Sequence, residues 1–212
     1  MAVPFIVGVA GGSGSGKTTL IRGLRDRAPS GAVCLISQDD YYHPIEQQSV
    51  DVNGKVNFDL PSSIDLDRLT HDIVGLCEGR PIRRREYTFN KEGADERWME
   101  IAPAPVVLVE GLFILHHAPL RELFDLKVFV HTDETLQLER RLARDIVERG
   151  YGPDEIRYQW ANHVVPAYRA YLDPYRALCE VEVDNRFAVT DAIDALHDRL
   201  GHRMGALREA VA

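Results

Sequence analysis

The 212-residue sequence predicts an α/β fold in three layers, with helices on both faces of a central five-stranded parallel sheet. Three observations carry this expectation. Apolar, β-branched runs alternate along the chain with amphipathic helical stretches. The runs are apolar at successive positions, as in strands covered on both faces. The first run also passes straight into a glycine-rich turn and then a helix.

The strand-like runs are Phe5 to Ala10, Ala32 to Ser37, Val106 to Val109 and Leu126 to Val130, with Val181 to Val183 as a fifth. Between them, Lys17 to Arg27, Asp65 to Cys77, Glu134 to Arg149 and Asp154 to Tyr171 repeat apolar residues at spacings of three and four, the helical period. One segment departs from the alternation. Pro81 to Phe89 and Arg97 to Ile101 alternate side chains around a polar stretch, which predicts a β-hairpin inserted beside the sheet at about 81–101, where it would roof a pocket. With no internal repeat and no long linker, 1–212 is expected to form one domain.

Apolar residues at 45% and charged residues at 27% are ordinary for a globular protein, and a net charge of -8 argues against a general binder of nucleic acid or membrane surfaces, which needs a basic face. Any anion must be held locally. Cys34, Cys77 and Cys179 are widely spaced without a CxxC, which fits a reducing cytoplasm better than a disulfide framework or a zinc site. Pro4 to Val9 has no basic flank and is read as a strand; Pro105 to Leu115 is too short to span a bilayer and contains Glu110, so no membrane segment is expected.

The turn after the first strand is Gly11-Gly12-Ser13-Gly14-Ser15-Gly16-Lys17-Thr18, followed by Thr19. GxxxxGK[ST] between a strand and a helix is a P-loop: the glycines let backbone amides wrap phosphate oxygens, Lys17 reaches the β/γ-phosphates, and Thr18 offers a hydroxyl to Mg2+. It predicts binding of ATP or GTP and leaves the reaction open. A switch GTPase would carry NKxD, but Asn90-Lys91 runs on into Glu92-Gly93. Asp72-Ile73-Val74-Gly75 matches DxxG inside an amphipathic helix and is read as coincidence.

Ligand chemistry in such sheets gathers at the carboxyl ends of strands. The second strand runs into Gln38-Asp39-Asp40-Tyr41-Tyr42, where a carboxylate is either a base facing the phosphates or a loop cap. Glu110 ends a strand in a position to reach Mg2+ or its water shell. On the stretch from Glu134 to Arg149, Leu138, Leu142 and Ile146 form one stripe, while Arg140, Arg141 and Arg144 form a cationic face that is either solvated or available to a transferring phosphoryl group.

The P-loop, Ser37-Gln38-Asp39-Asp40-Tyr41-Tyr42, Val56-Asn57-Phe58-Asp59-Leu60-Pro61, Val109-Glu110-Gly111 and Arg140 to Gly150 occur in that order. Together they resemble the successive motifs of the uridine/cytidine kinase family over roughly residues 5 to 185. The resemblance implies a nucleoside kinase that transfers the γ-phosphoryl of ATP or GTP to the 5′-hydroxyl of uridine or cytidine. In it Asp39 activates the hydroxyl, Asp59 holds ribose hydroxyls, Tyr42 walls the nucleoside pocket, and Arg141, Arg144 and Arg149 belong to a lid at about 140–155. Arg140 is left as surface or an outer contact, Gln159 is a candidate for the acceptor site, and Trp160 and Tyr168 are read as packing. The resemblance also implies a homo-oligomer, commonly a tetramer.

The family's base-recognition stretch corresponds to Tyr87-Thr88-Phe89-Asn90-Lys91-Glu92, with Tyr87 and Phe89 kept and Glu92 standing where a ring is expected. Tyr151 replaces a basic residue after the lid glycine and receives no role, nor do the histidines. Two alternatives remain: a kinase of the same fold acting on another nucleoside, nicotinamide riboside, phosphoribulose or pantothenate, and a nucleotide-dependent switch.

Overall fold

The computed structural model describes residues 3–87, 97–186 and 189–209. The chain begins with β1 (Phe5–Gly11), α1 (Lys17–Arg27) and β2 (Val33–Ser37), then forms a hairpin of β3 (Ser49–Val50) and β4 (Val56–Asn57) before α2 (Leu66–Cys77). A second hairpin, β5 (Ile82–Arg85) and β6 (Trp98–Ile101), leads to β7 (Val106–Gly111), α3 (Ala118–Arg121) and β8 (Leu126–His131). There follow α4 (Glu134–Glu148), α5 (Pro153–Gln159), α6 (Val165–Tyr171), β9 (Val181–Asp184) and α7 (Thr190–Glu209).

The main sheet has the order β2-β7-β1-β8-β9 with every neighbouring pair parallel, so the α/β expectation with five strands holds. Strand β7 is buried at every position, which accounts for the unbroken apolar run Val106 to Val109 before Glu110. Successive residues feed opposite cores. Val107 and Val109 join Leu69, Ile73, Leu76, Phe113 and Phe129 under α2 and α6, whereas Val106 and Leu108 join Leu20, Leu24, Ile193 and Leu196 under α1 and α7. Leu69 and Ile73 are fully buried, each contributing about 1.5–3 kcal/mol by leaving water.

The inserted hairpin pairs Ile82 with Ile101 and Arg85 with Trp98 in antiparallel register, as its alternation predicts. Its anchor is Asp72, which α2 buries to 3% exposure. Asp72 accepts from Tyr41 Oη at 3.0 Å and Arg68 Nε at 3.0 Å, and Arg84 of β5 approaches at 3.5 Å while its guanidinium stacks 3.5 Å above the Tyr41 ring. The DxxG match therefore lies in a packing network inside a helix, away from any strand end.

The stretch from Asp154 to Tyr171, expected as one helix, is corrected to α5, a wide π-helical turn at Trp160–Val164, and α6. Pro166 has no N–H to continue an α-helical ladder, and a wider turn accommodates the loss.

Candidate active site

The glycine-rich loop hangs from the carboxyl end of β1. Gly14 at φ 75° and Gly16 at φ 97° are left-handed, and a side chain at either would strike Gln137 or Asn185 respectively. Asn185 braces the loop, donating from Nδ2 to Ser15 O at 2.9 Å while its own N–H bonds to His131 O at 2.8 Å. Arg140 donates to Gly14 O at 3.4 Å and Asn185 O at 3.2 Å, which assigns this residue an outer contact on the loop. No side chain caps α1, so its first-turn amides remain for an anion. Ser13, Lys17 and Thr18 line a cleft above the sheet; Thr19 is exposed on α1 outside it. Lys17 Nζ donates to Gly11 O at 2.9 Å and Gly12 O at 3.1 Å.

Strand β2 opens into a 3-10 turn, Gln38–Tyr41, capped by Ser37, whose Oγ accepts from Asp39 N at 3.3 Å and donates to Glu110 Oε1 at 2.7 Å. This turn separates the two neighbouring aspartates. Asp39 lines the cleft with Lys17, Thr18 and Glu110. Asp40 faces the inserted hairpin, accepting from Tyr87 N at 3.2 Å while its backbone carbonyl accepts from Arg84 at 3.0 Å, and burial pushes its carboxyl up to about 6. Burial also lowers the Lys17 ammonium below its ordinary value and raises Glu110 above its own; the charge each carries opposes the other's shift.

The donor set of Thr18 hydroxyl and the Asp39 and Glu110 carboxylates is all oxygen, which fits Mg2+. Among the described residues no three His, Cys, Asp or Glu side chains form a ready metal cage, so such an ion would keep water or phosphate oxygens in its shell.

The opposite end of the cleft is aromatic and acidic. The Tyr42 ring meets Phe58 edge-on at 5.9 Å and Tyr87 at 5.2 Å. Asp59, 7% exposed, lies 3.9 Å from Arg141 Nη1; burial raises its carboxyl above the ordinary value, and Arg141 followed by His163 opposes that shift. Phe89 and Glu92 lie outside the described residues.

Helix α4 aims its arginines inward. Arg141 donates to Ser13 Oγ at 3.2 Å and Gln159 Oε1 at 3.0 Å, and Arg144 reaches the same Ser13 oxygen at 3.4 Å. Both arginines line the cleft with Arg149 and Tyr151. All three converge on Asp145, which has no exposed surface: Arg144 at 2.7 Å, Arg141 at 3.3 Å and Arg149 at 3.5 Å. Trp160 is buried, as packing predicts.

The site also contains residues for which sequence reasoning assigned no role. Asp145 stands four residues after Arg141 and four before Arg149, a spacing that carries the signal. Asn185 and His163, which lines the cleft, have no such local signature.

A phosphate cradle, carboxylates across from it and a cationic helix facing one cleft define the class: a P-loop enzyme of phosphoryl transfer. The phosphoribulokinase / uridine kinase family matches over residues 6–189, and the chain belongs to that family. It is 32% identical over 204 residues to a uridine kinase of Streptococcus equi subsp. zooepidemicus, covering 96% of this chain and 98% of the relative. A uridine kinase of Streptococcus pyogenes is 31% identical over 202 residues, with 95% and 97% covered. Among solved structures, phosphoribulokinase from Rhodobacter spheroides superimposes with a TM-score of 0.63 at 16% identity, covering 86% of this chain and 70% of that one. D-glycerate 3-kinase from Cryptococcus neoformans gives 0.60 at 16% identity, with 82% and 80% covered. These two likenesses concern the fold.

Proposed function

We propose that the chain is a nucleoside kinase that transfers the γ-phosphoryl of ATP or GTP to the 5′-hydroxyl of uridine or cytidine. The observation that carries the reading is the divergence of Asp39 and Asp40: only Asp39 shares the cleft with Lys17, Thr18 and Glu110. Asp39 takes the proton of the 5′-hydroxyl as that oxygen bonds to the γ-phosphorus and the bond to the β–γ bridging oxygen breaks, yielding nucleoside monophosphate and nucleoside diphosphate. Lys17 and the loop amides hold the donor phosphates. Arg141, Arg144 and Arg149 offset the charge spread over the transferring oxygens, and Asp59 with Tyr42, Tyr87 and Gln159 holds the nucleoside. Thr18 and Glu110 would hold Mg2+, partly through water, and the ion would supply positive charge to the phosphates.

The two uridine kinases and the aromatic wall beside Asp59 support a nucleoside acceptor. The family resemblance supports a homo-oligomer, a tetramer, and unpaired cysteines support a cytoplasmic setting. No helix among the described residues is long and apolar enough to cross a membrane. A screen of uridine, cytidine, purine nucleosides, nicotinamide riboside and sugar phosphates, each with ATP and with GTP, tests the assignment. Turnover with uridine or cytidine supports it, and failure with both removes it.

A further inference from the structure

The β3–β4 hairpin has two residues in each strand, and Val50 and Val52 are exposed, so it has little stability of its own. It nevertheless delivers Val56, Phe58 and Asp59 to the cleft. Its turn is fastened through Asp51. That carboxylate closes the turn by accepting from Asn53 N at 2.8 Å and Lys55 N at 2.9 Å. It then accepts two bonds from the helices behind the lid: Tyr158 Oη at 2.7 Å and His163 Nε2 at 2.8 Å. Asn53 Nδ2 adds a bond to Tyr158 Oη at 2.6 Å. Because a carboxylate only accepts, Asp51 assigns a proton to Nε2 of His163. Tyr158 first, then the Lys55 amide and His163, hold Asp51 well below the usual carboxylate range.

His163 is 2% exposed, and its Nδ1 has no protein partner. An imidazole buried in this way carries a desolvation penalty that a phenyl ring would avoid, and the bond to Asp51 is what the imidazole adds. The π-helical turn at Trp160–Val164 presents it to the cleft, and such turns are concentrated at functional sites.

We propose that His163 is a positioning residue of the acceptor pocket: bonded to Asp51, it fastens the β3–β4 hairpin, and the Asp59 just beyond it, to the helices that follow the lid. The inference rests on the reading of Asp59 as an acceptor-binding carboxylate. Loss of the bond loosens the acceptor end and leaves the phosphate loop intact.

The experiment compares the full chain with His163→Phe, which keeps the ring and removes the bond, and with Tyr158→Phe, which removes the other anchor at a half-buried position. Hydrogen exchange over residues 48–60 reads the fastening whatever the acceptor proves to be. Faster exchange there, with the loop at 11–18 unchanged, is expected in both variants, and unchanged exchange overturns the proposal. Steady-state kinetics read the consequence: acceptor KM rises about fivefold to tenfold while kcat and donor KM stay within twofold. Equal rises in both KM values, or a fall in kcat alone, also overturn it. Absence of turnover with uridine and cytidine in the unaltered protein would remove the proposed substrate, and the exchange result would still decide the role of His163.

Discussion

Arg144 Nε lies 2.7 Å from Oδ1 of Asp145, a carboxylate with no exposed surface that also draws Arg141 and Arg149. Three guanidinium groups held so close repel one another, and one buried negative charge keeps them pointed at the cleft. The cationic face of α4 is thus built around an acid.

Asp145→Asn keeps the shape and removes that charge. Breaking a buried ion pair by neutralising one partner costs about 3–5 kcal/mol, so urea unfolding should show a loss of this order. Turnover should fall at least tenfold, because the arginines no longer share a fixed direction. Unchanged stability and rate would show that the arginines orient themselves without it.

Replacement of the two neighbouring aspartates should have unequal effects. Asp39→Asn is expected to lower kcat by about 10²–10⁴, the usual contribution of a positioned base, with nucleotide affinity little changed. Asp40→Asn, on the hairpin side, should leave kcat within about threefold. Single-turnover rates measured beside nucleotide binding check both, and equal losses would contradict the divergence at Gln38–Tyr41.

The same Asp40 gives a pH signature. Its folded value of about 6 lies above its ordinary 3.8, so the native state holds the proton more tightly than the unfolded chain does. Its contribution to stability is full below about pH 3.8 and is lost as pH rises through 6. The urea midpoint of the unaltered chain, minus that of Asp40→Asn, should therefore decline between pH 4 and 6; a rise would contradict the burial of this carboxyl.

Asn185→Ala removes the bond to Ser15 O and the amide packed against Gly16. One hydrogen bond of this kind contributes about 1 kcal/mol, so nucleotide Kd should rise about fivefold with acceptor KM unaffected. Isothermal titration with a non-hydrolysable nucleotide measures it.

What could be read beforehand follows the range of the physics. The inner strands were legible because burial on both faces makes them largely apolar, most fully in β7, and the phosphate loop because its chemistry is confined to consecutive positions. Edge strand β9, with Glu182 and Asp184 exposed and Val183 alone buried, gave a weaker signal. Ile193, Leu196, Leu200 and Met204 carry the same helical spacing that identifies α1 and α4, so α7 was legible too, though absent from the expected elements. Strands of two residues, as in β3 and β4, are too short for any period to register. Taken alone, the residues left Asp39 and Asp40 open, because their separation depends on the direction of a single 3-10 turn; the family resemblance was what named Asp39. Asp51 and His163 are 112 positions apart, and only the folded chain brings them together.

The wide turn at Trp160–Val164 absorbs about one residue between two surfaces without turning one away from the other. Gln159, on one side, meets Arg141; Ala167 and Leu172, on the other, fill the core under the sheet. An α-helix turns about 100° per residue and the wide turn takes up about one residue's rotation, so deleting one residue there would restore ordinary winding with both surfaces still facing as they do. Removing or adding a residue within α5 or α6 meets no such slack and would lose either the cleft contact or the core packing.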